Sequence, residues 1–352
     1  MKEYGSEHDY TYRQEVLQSL FDYVQSTDSF FVIGGASVGK TRLMDHIFRT
    51  DIQEHYLGEQ AKTTWLIRVD LNRHYPKKDW HFYELLINSL ALSCSQYDDT
   101  PELNTTEIYE QIALLDGRVI ESRDFLMALR LFELVVHMLC RKHEINLCFL
   151  LDEFDEMYRT MPKEFFAQLR AIRDANKNQL CYGLFLRDLP NRLRNTNDNE
   201  SFYELFSHRM IGLGPYSHED GIKVIQQIEN RERHPLSPEW REAFYQASGG
   251  HPGIINALFN QQIDLSISKE LFKEPSWIIN QGIVKEECSK ILGSLSQEEQ
   301  QGLLSFVKNN SVPQPVLELL NAKGLVKKID GKYMIFSPIF DIYLQEAVQS
   351  VG

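Results

Sequence analysis

As far as Leu213, short apolar runs alternate with stretches of helical periodicity. The runs are Phe30–Ile33, Trp65–Leu71, Leu147–Leu151, Tyr182–Leu186 and Met210–Leu213. Short runs of this kind read as buried strands, and the helical stretches between them supply the crossovers that parallel strands need. The pattern predicts a parallel α/β sheet. Between the second and third runs it also predicts helices near Trp80–Leu92 and Asp124–Lys142, with an acidic, polar stretch at Gln96–Glu107.

After Gly214 only helical patterns remain. Ser217-His218-Glu219-Asp220 has the form of a capped helix start, followed by Ile222, Ile225 and Ile228 on one face. Ser237-Pro238 opens a second helix, since proline fits the first helical position. Gly249-Gly250-His251-Pro252 is a sharp break before a third helix, Gly253–Gln262, and a fourth runs about Ser276–Leu292. The pattern then changes again. Gln297–Lys308 and Pro315–Lys323 read as helices, and Leu325–Ile329 and Lys332–Phe336 flank Asp330-Gly331, a hairpin-turn signal. Helices followed by a hairpin make a winged-helix pattern. The chain is therefore expected to comprise an α/β core (1–214), a helical lid (215–292) and a winged helix (293–352).

Composition adds constraints rather than detail. With 352 residues, 43% hydrophobic and 25% charged, the chain is ordinary globular protein with ample material for a core. A formal charge of -13 gives no global attraction to nucleic acid or an anionic membrane, so such a role needs a local basic patch. The polar, acidic N-terminus is no signal peptide, and no apolar run approaches the ~20 residues of a membrane span. Cys94, Cys140, Cys148, Cys181 and Cys288 form no C-x-x-C pair and read as buried hydrophobes in a reducing compartment. A soluble, cytoplasmic protein is expected, with no membrane partner.

Chemistry enters at Gly34-Gly35-Ala36-Ser37-Val38-Gly39-Lys40-Thr41, which follows the Phe30–Ile33 run and opens a helix carrying Leu43, Ile47 and Phe48. This is the G-x-x-x-x-G-K-T phosphate-binding loop in the strand–loop–helix context it needs. Its glycines let backbone N–H groups turn inward around phosphate oxygens, and the helix N-terminus adds a fixed positive field. Lys40 is expected to bridge the β- and γ-phosphates and the Thr41 hydroxyl to ligate Mg²⁺. The stretch through Arg42 is the expected contact for ATP or ADP. Such a site needs a carboxylate at the end of a neighbouring strand, and Leu147–Leu151 is followed by Asp152 and Glu153. Asp152 is expected to hold Mg²⁺ through water, and Glu153 to polarise an attacking water as general base. For Asp155 and Glu156 a solvated acidic helix start is preferred.

This arrangement resembles the AAA+ and STAND branches of P-loop ATPases over nearly the whole chain. Tyr12-Arg13-Gln14-Glu15-Val16-Leu17 is similar to the helix that precedes the P-loop strand in these families, which implies a place near the adenine. Phe165–Asn176 and then Tyr182–Arg187 resemble the helix and sensor strand after the Walker B acids, which implies a sensor role for Arg187. Phe206–Ser217 resembles the block that enters the lid, where an arginine reaches a neighbouring subunit's site in AAA+ oligomers; Arg209 matches that position loosely. Gly250-His251-Pro252 resembles the G-x-P motif of STAND lids, which implies nucleotide contact by Pro252. No arginine in Gly253–Asn260 matches the AAA+ sensor-2 position, which favours STAND.

A DNA-reading winged helix needs basic or amide side chains on its recognition helix. Here that helix, Pro315–Lys323, is apolar and carries Glu318, and only the wing is basic, through Lys323, Lys327, Lys328 and Lys332. The leading expectation is an ATP-dependent STAND-type switch or assembly ATPase, self-associating or working with a separately encoded partner, for instance in signalling or anti-phage defence. The alternatives are a DNA-associated AAA+ ATPase resembling origin-recognition or transposition regulators, and a nucleotide-stabilised scaffold without turnover.

Overall fold

The computed structural model describes residues 8–71, 79–97, 103–194, 200–233, 235–260, 278–280 and 282–351. It divides into two compact units. One comprises Leu17–Val32 and Ile47–Ile211, the other Met1–Val16, Ile33–His46 and Gly212–Gly352.

The first of these is built on strands β1 (Phe30–Ile33), β2 (Thr64–Asp70), β3 (Asn146–Asp152), β4 (Leu180–Leu186) and β5 (Met210–Gly212). Their order in the sheet is β2-β3-β4-β1-β5. β2 and β3 pair in parallel from Thr64↔Asn146 to Asp70↔Asp152, and β3 and β4 from Leu147↔Leu180 to Leu151↔Leu184. Every residue of β1 and β4 is buried, as strands covered on both faces require. Gly183 allows the closest approach within the sheet: a Cβ there would lie 2.7 Å from the Phe30 ring and 2.6 Å from Leu150. Edge-to-face aromatic contacts join Phe132 to Phe149 and Phe82 to Phe165 beside it.

The five apolar runs lie within a residue or two of the observed strands. Helices Asp79–Ser93 and Phe125–His137 fill the long gap as expected, and a third, Thr105–Ser122, lies between them. That third helix reads weakly in sequence for a physical reason. It buries only a narrow stripe (Ile108, Ile112, Asp116, Val119) and leaves Tyr109, Leu114 and Ile120 exposed, which blurs its amphipathic period. The five cysteines are buried and free. Among the described residues no helix is long and apolar enough to cross a membrane.

In the other unit, the helices after Gly214 share one apolar core with the C-terminal helices and hairpin, drawing in Tyr216, Trp240, Phe244, Ile254, Phe336 and Phe340. Helix His218–Glu232 begins as its sequence suggests, with the Asp220 N–H donating to the Ser217 hydroxyl. It buries Val224, Ile225 and Ile228 and leaves Ile222 half-buried. Helix Pro238–Ser248 carries proline at its start, though the Ser237 hydroxyl donates to Glu239 instead of capping. Helix Pro252–Asn260 follows the glycine break. The expected extension to Gln262 and the start of the Ser276–Leu292 helix fall outside the described residues; Gly282–Gly293 is helical.

Helices Gln297–Asn309 and Gln314–Ala322 then lead into β6 (Val326–Ile329) and β7 (Lys332–Ile335), which pair antiparallel. Asp330 and Gly331 both have positive φ (49° and 80°), as a tight hairpin turn requires. A final helix, Pro338–Val351, completes the module and was not foreseen. Its signal was present: Ser337-Pro338 repeats the Ser237-Pro238 pattern, and the Phe340 N–H donates to the Ser337 hydroxyl.

The wing is less basic than its sequence suggests. Lys323 is buried at the end of helix Gln314–Ala322, where its ammonium pairs with Glu299 at 2.6 Å, both side chains 0% exposed. Glu299 is itself the capping-box acid of helix Gln297–Asn309, accepting the Ser296 N–H. Lys327 is drawn inward too. Its ammonium donates to the Gly249 carbonyl at 3.2 Å, and burial lowers its pKa. Of the expected wing lysines, Lys328 and Lys332 remain on the hairpin surface, and Lys328 lies over the Tyr333 ring. Breaking one half of a buried ion pair leaves the other charge uncompensated, at a cost of about 3–5 kcal/mol. Lys323→Met is therefore expected to lower stability by that order in chemical denaturation, and Glu299→Gln in the same chain to restore much of the loss.

Candidate phosphate-binding site

The Gly34–Thr41 loop follows β1 and enters helix Lys40–Ile47, buried along Leu43, Met44 and Ile47. Two of its residues take left-handed backbone, Ser37 at φ 53° and Gly39 at φ 95°. Glycine adopts such a conformation readily; a serine there is strained and must be held by its surroundings. Gly34 is required by space instead, since a Cβ there would lie 2.9 Å from both the Leu213 carbonyl and Val38.

A loop that turns its N–H groups inward leaves its carbonyls outside, and buried carbonyls need donors. The structure supplies them. The Lys40 ammonium, almost fully buried, donates to the Gly34 carbonyl at 2.8 Å and to Gly35 at 3.1 Å. The Arg13 guanidinium donates to Val38 and to Gly214, each at 2.8 Å. The Arg13 guanidinium lies 4.4 Å over the Tyr216 ring, its backbone N–H donates to Asp220, and its backbone is left-handed, with φ 49°. At the loop's tip, the Ala36 N–H donates to the Ser294 hydroxyl at 3.2 Å.

The lid begins against this loop. A Cβ on Gly39 would lie 3.8 Å from Pro252 and 3.4 Å from the Tyr216 hydroxyl, and one on Gly253 would lie 2.7 Å from Ser37. Pro252 is thus beside the loop. The segment Tyr12–Leu17 departs from its expected form. Its helix starts only at Gln14, and Arg13 precedes it as a brace on the loop. The Tyr12 ring is sandwiched between His8, stacked at 4.1 Å, and the edge of His46. Thr41 is exposed at the helix start and Arg42 is half-buried beside it. Arg13 and Tyr216 stand in segments that resemble family blocks, but nothing in those segments marks them as partners of the loop, and Ser294 carries no sequence signal.

The acidic residues after β3 are organised by the end of β4. Asp152 is buried, and its carboxylate accepts the Glu153 N–H at 3.0 Å. Glu153 has φ 53° and pairs with the Arg187 guanidinium at 2.7 Å. Burial works against the Arg187 charge, but Glu153, Asp155 and Asp152 together keep its pKa above the ordinary value. Asp155 corrects the expectation of a solvated acid. It is buried, and its carboxylate accepts the backbone N–H groups of Arg187 and Asp188, fixing the turn after β4. Glu156 is exposed as expected and lies 3.9 Å from Arg159. Arg209 pairs with Asp28 at 3.1 Å in its own chain and donates to the Leu205 carbonyl.

Two buried histidines make this region acid-sensitive. The pKa of His8 is lowered to about 3 by burial and by Arg42, His46 and Arg13, against Asp9. That of His251 is lowered to about 3 by burial, Arg13 and Lys290, against a hydrogen bond with Ala36. Both folded values lie below the ordinary 6.5. Their neutral forms therefore stabilise the fold fully above pH 6.5, and that stability is lost as pH falls from 6.5 toward 3. Each proton taken up on unfolding steepens the loss by about 1.4 kcal/mol per pH unit. Thermal midpoints should fall between pH 6.5 and 4, and His8→Phe should flatten that slope.

No family model matches the chain, and no curated protein matches it. Among solved structures it is similar to the Walker-type ATPase PABY2304 of Pyrococcus abyssi, at 15% identity and a TM-score of 0.54, covering 95% of each chain. It is likewise similar to the ADP form of the Aeropyrum pernix ORC2 protein, at 12% identity and a TM-score of 0.52, covering 100% of this chain and 97% of that one. These likenesses cover at least 95% of the chain, which has the α/β fold of P-loop NTPases.

Proposed function

We propose that the chain binds ATP with Mg²⁺ on the Gly34–Arg42 loop and hydrolyses it, as a molecular switch. The observation that carries this reading is the loop itself, with left-handed Ser37 and Gly39 and with its outward carbonyls taken up by Lys40 and Arg13. The residues present suit a magnesium nucleotide. No Cβ fits at Gly34, and a hydroxyl at Thr41 and a carboxylate at Asp152 are the hard oxygen donors that Mg²⁺ prefers. When bound, the metal neutralises phosphate charge. The chain's part is to bind phosphates through the loop N–H groups and Lys40, to fix Mg²⁺ through Thr41 and Asp152, and to orient water with Glu153. Arg187 holds the Glu153 carboxylate in a half-exposed ion pair, a contact weak enough to be exchanged at little cost.

The finer assignment is the STAND-type switch, with core 1–214, lid 215–292 and winged helix 293–352 as its moving parts. Support comes from Pro252 beside the loop and from the wing's attachment to the lid turn through Lys327 and Ser337. Nucleotide shifts such a device only through its differential affinity for two arrangements. A signalling role, by self-association or through a separate partner in the cytoplasm, follows from a switch. The DNA-associated reading draws on the ORC2 likeness, but burial of Lys323 and the inward bond of Lys327 remove half of the basic wing it needs.

Lys40→Ala should remove most ATP affinity in calorimetry, and unchanged affinity would refute the loop assignment. Glu153→Gln should retain binding and slow turnover by about 10²–10⁴-fold, the usual effect of losing a general base. A turnover equal to wild type would place the base elsewhere. The Asp28 pairing favours a bracing role for Arg209. Arg209→Ala should then lower the thermal midpoint, with wild-type specific activity independent of protein concentration. Activity that rises with concentration and is lost in the variant would assign Arg209 to a neighbouring subunit's site.

A further inference from the structure

The peptide unit that joins Gly35 to Ala36, at the tip of the phosphate loop, is held at both of its polar ends. The Gly35 carbonyl accepts the Lys40 ammonium at 3.1 Å, and the Ala36 N–H donates to the Ser294 hydroxyl at 3.2 Å. That hydroxyl in turn donates to the Ile291 carbonyl at 2.8 Å. Its one proton is thereby committed, and it meets the loop as an acceptor. One peptide plane therefore links the motif lysine to a serine far along the chain, and all of these residues belong to one compact unit.

Ser294 stands where one helix hands over to the next. Helix Gly282–Gly293 ends just before it, and Ser296, two residues on, caps helix Gln297–Asn309. Leu295, between the two serines, is buried. The helix that ends here is tied to the C-terminal one: Lys285 pairs with Glu346 at 3.0 Å, and Val284, Cys288 and Ile291 share a core with Phe340 and Leu344. The same helix reaches the loop a second time. A Cβ on Gly253 would lie 2.1 Å from a Glu287 carboxylate oxygen and 2.7 Å from the Ser37 Cβ, so Glu287 and the left-handed Ser37 meet across a residue that has no room for a side chain. The loop tip thus packs against the link between the lid's last helix and the winged helix.

Resting on the nucleotide-binding reading above, we propose that Ser294 is a positioning residue that couples phosphate on the loop to the link between lid and winged helix. A motif lysine carries its charge to the β- and γ-phosphates when nucleotide binds. Lys40 then gives up its place on the Gly35 carbonyl, and the Gly35–Ala36 peptide is held through Ser294. The orientation of that peptide sets the direction of the N–H groups that follow, from Ser37 onward. Coupling of this kind is reciprocal: if the Ser294 bond favours the phosphate-binding form of the loop, bound phosphate strengthens the hold of the loop on the link.

The test compares the intact chain with Ser294→Thr, Ser294→Val and Ser294→Ala, titrated with ADP and Mg²⁺ in a calorimeter and followed by hydrogen exchange with and without ADP. Threonine and valine have the same shape and differ by the hydroxyl. The threonine chain should bind ADP within about twofold of wild type and keep ADP-dependent protection of the 282–300 amides. The valine chain should bind about fivefold more weakly than threonine, the usual worth of one hydrogen bond, and ADP should no longer protect those amides. Alanine adds no bulk and should behave as valine does. A role confined to stability would lower the thermal midpoint of the valine chain and leave affinity and ADP-dependent protection equal in valine and threonine; that result would overturn the proposal. An alanine chain that matches wild type in both readouts would overturn it too, whether or not the bulkier pair folds. A wild-type chain that binds no ADP would overturn the nucleotide reading itself.

Discussion

A loop that offers its N–H groups to an anion must find partners for the carbonyls it turns away, and the rest of the site follows from that requirement. Gly34 and Gly35 are served by Lys40, and Val38 by Arg13. A hydrogen bond from a charged donor is worth about 1.5–3 kcal/mol, against roughly 1 for a neutral one, so Lys40 and Arg13 carry most of the restraint. The donors come from the N-terminal segment and from the helix after the loop, and both fall in one compact unit with the loop.

How much of this was legible depended on the kind of signal. The strand runs, the loop motif, Asp152 and Glu153 follow local pattern or fixed spacing; the strands and the loop lie where the sequence suggested, but β3, which ends in Asp152, is separated from β1 by β4 and does not neighbour it. Arg13, Tyr216 and Ser294 become partners of the loop only through the fold. Arg13 stood within a recognisable segment, but as part of a helix; its left-handed backbone ahead of the helix could not be read from neighbours. Asp155 looked like an acid at a helix start, and only the return of β4 beside it turned it into an acceptor for Arg187 and Asp188. The helix Pro338–Val351 was the reverse case, because its Ser337-Pro338 start was as clear as the one at Ser237-Pro238.

The lysines of the wing bear on function in the same way. Read in sequence, Lys323, Lys327, Lys328 and Lys332 make a basic patch on a hairpin, the local exception that an acidic chain would need in order to meet nucleic acid. In the fold, Lys323 neutralises Glu299 in the interior and Lys327 closes on Gly249 of the lid turn. The charge of Lys323 braces the module internally, and that of Lys327 attaches the module to the lid. With Lys323 and Lys327 engaged in this way, the hairpin presents less cationic surface than its sequence suggests.

The central claim is that the Gly34–Thr41 loop is a phosphate cradle held from behind. Its most direct test is amide chemical-shift mapping of the isotopically labelled chain during titration with ADP and Mg²⁺. The account predicts saturation at one equivalent, the largest shifts at the amides of Ser37 through Thr41, and a Val38 carbonyl bond to Arg13 that persists in the bound state. Shifts centred away from this loop, or no saturable shift at all, would contradict it.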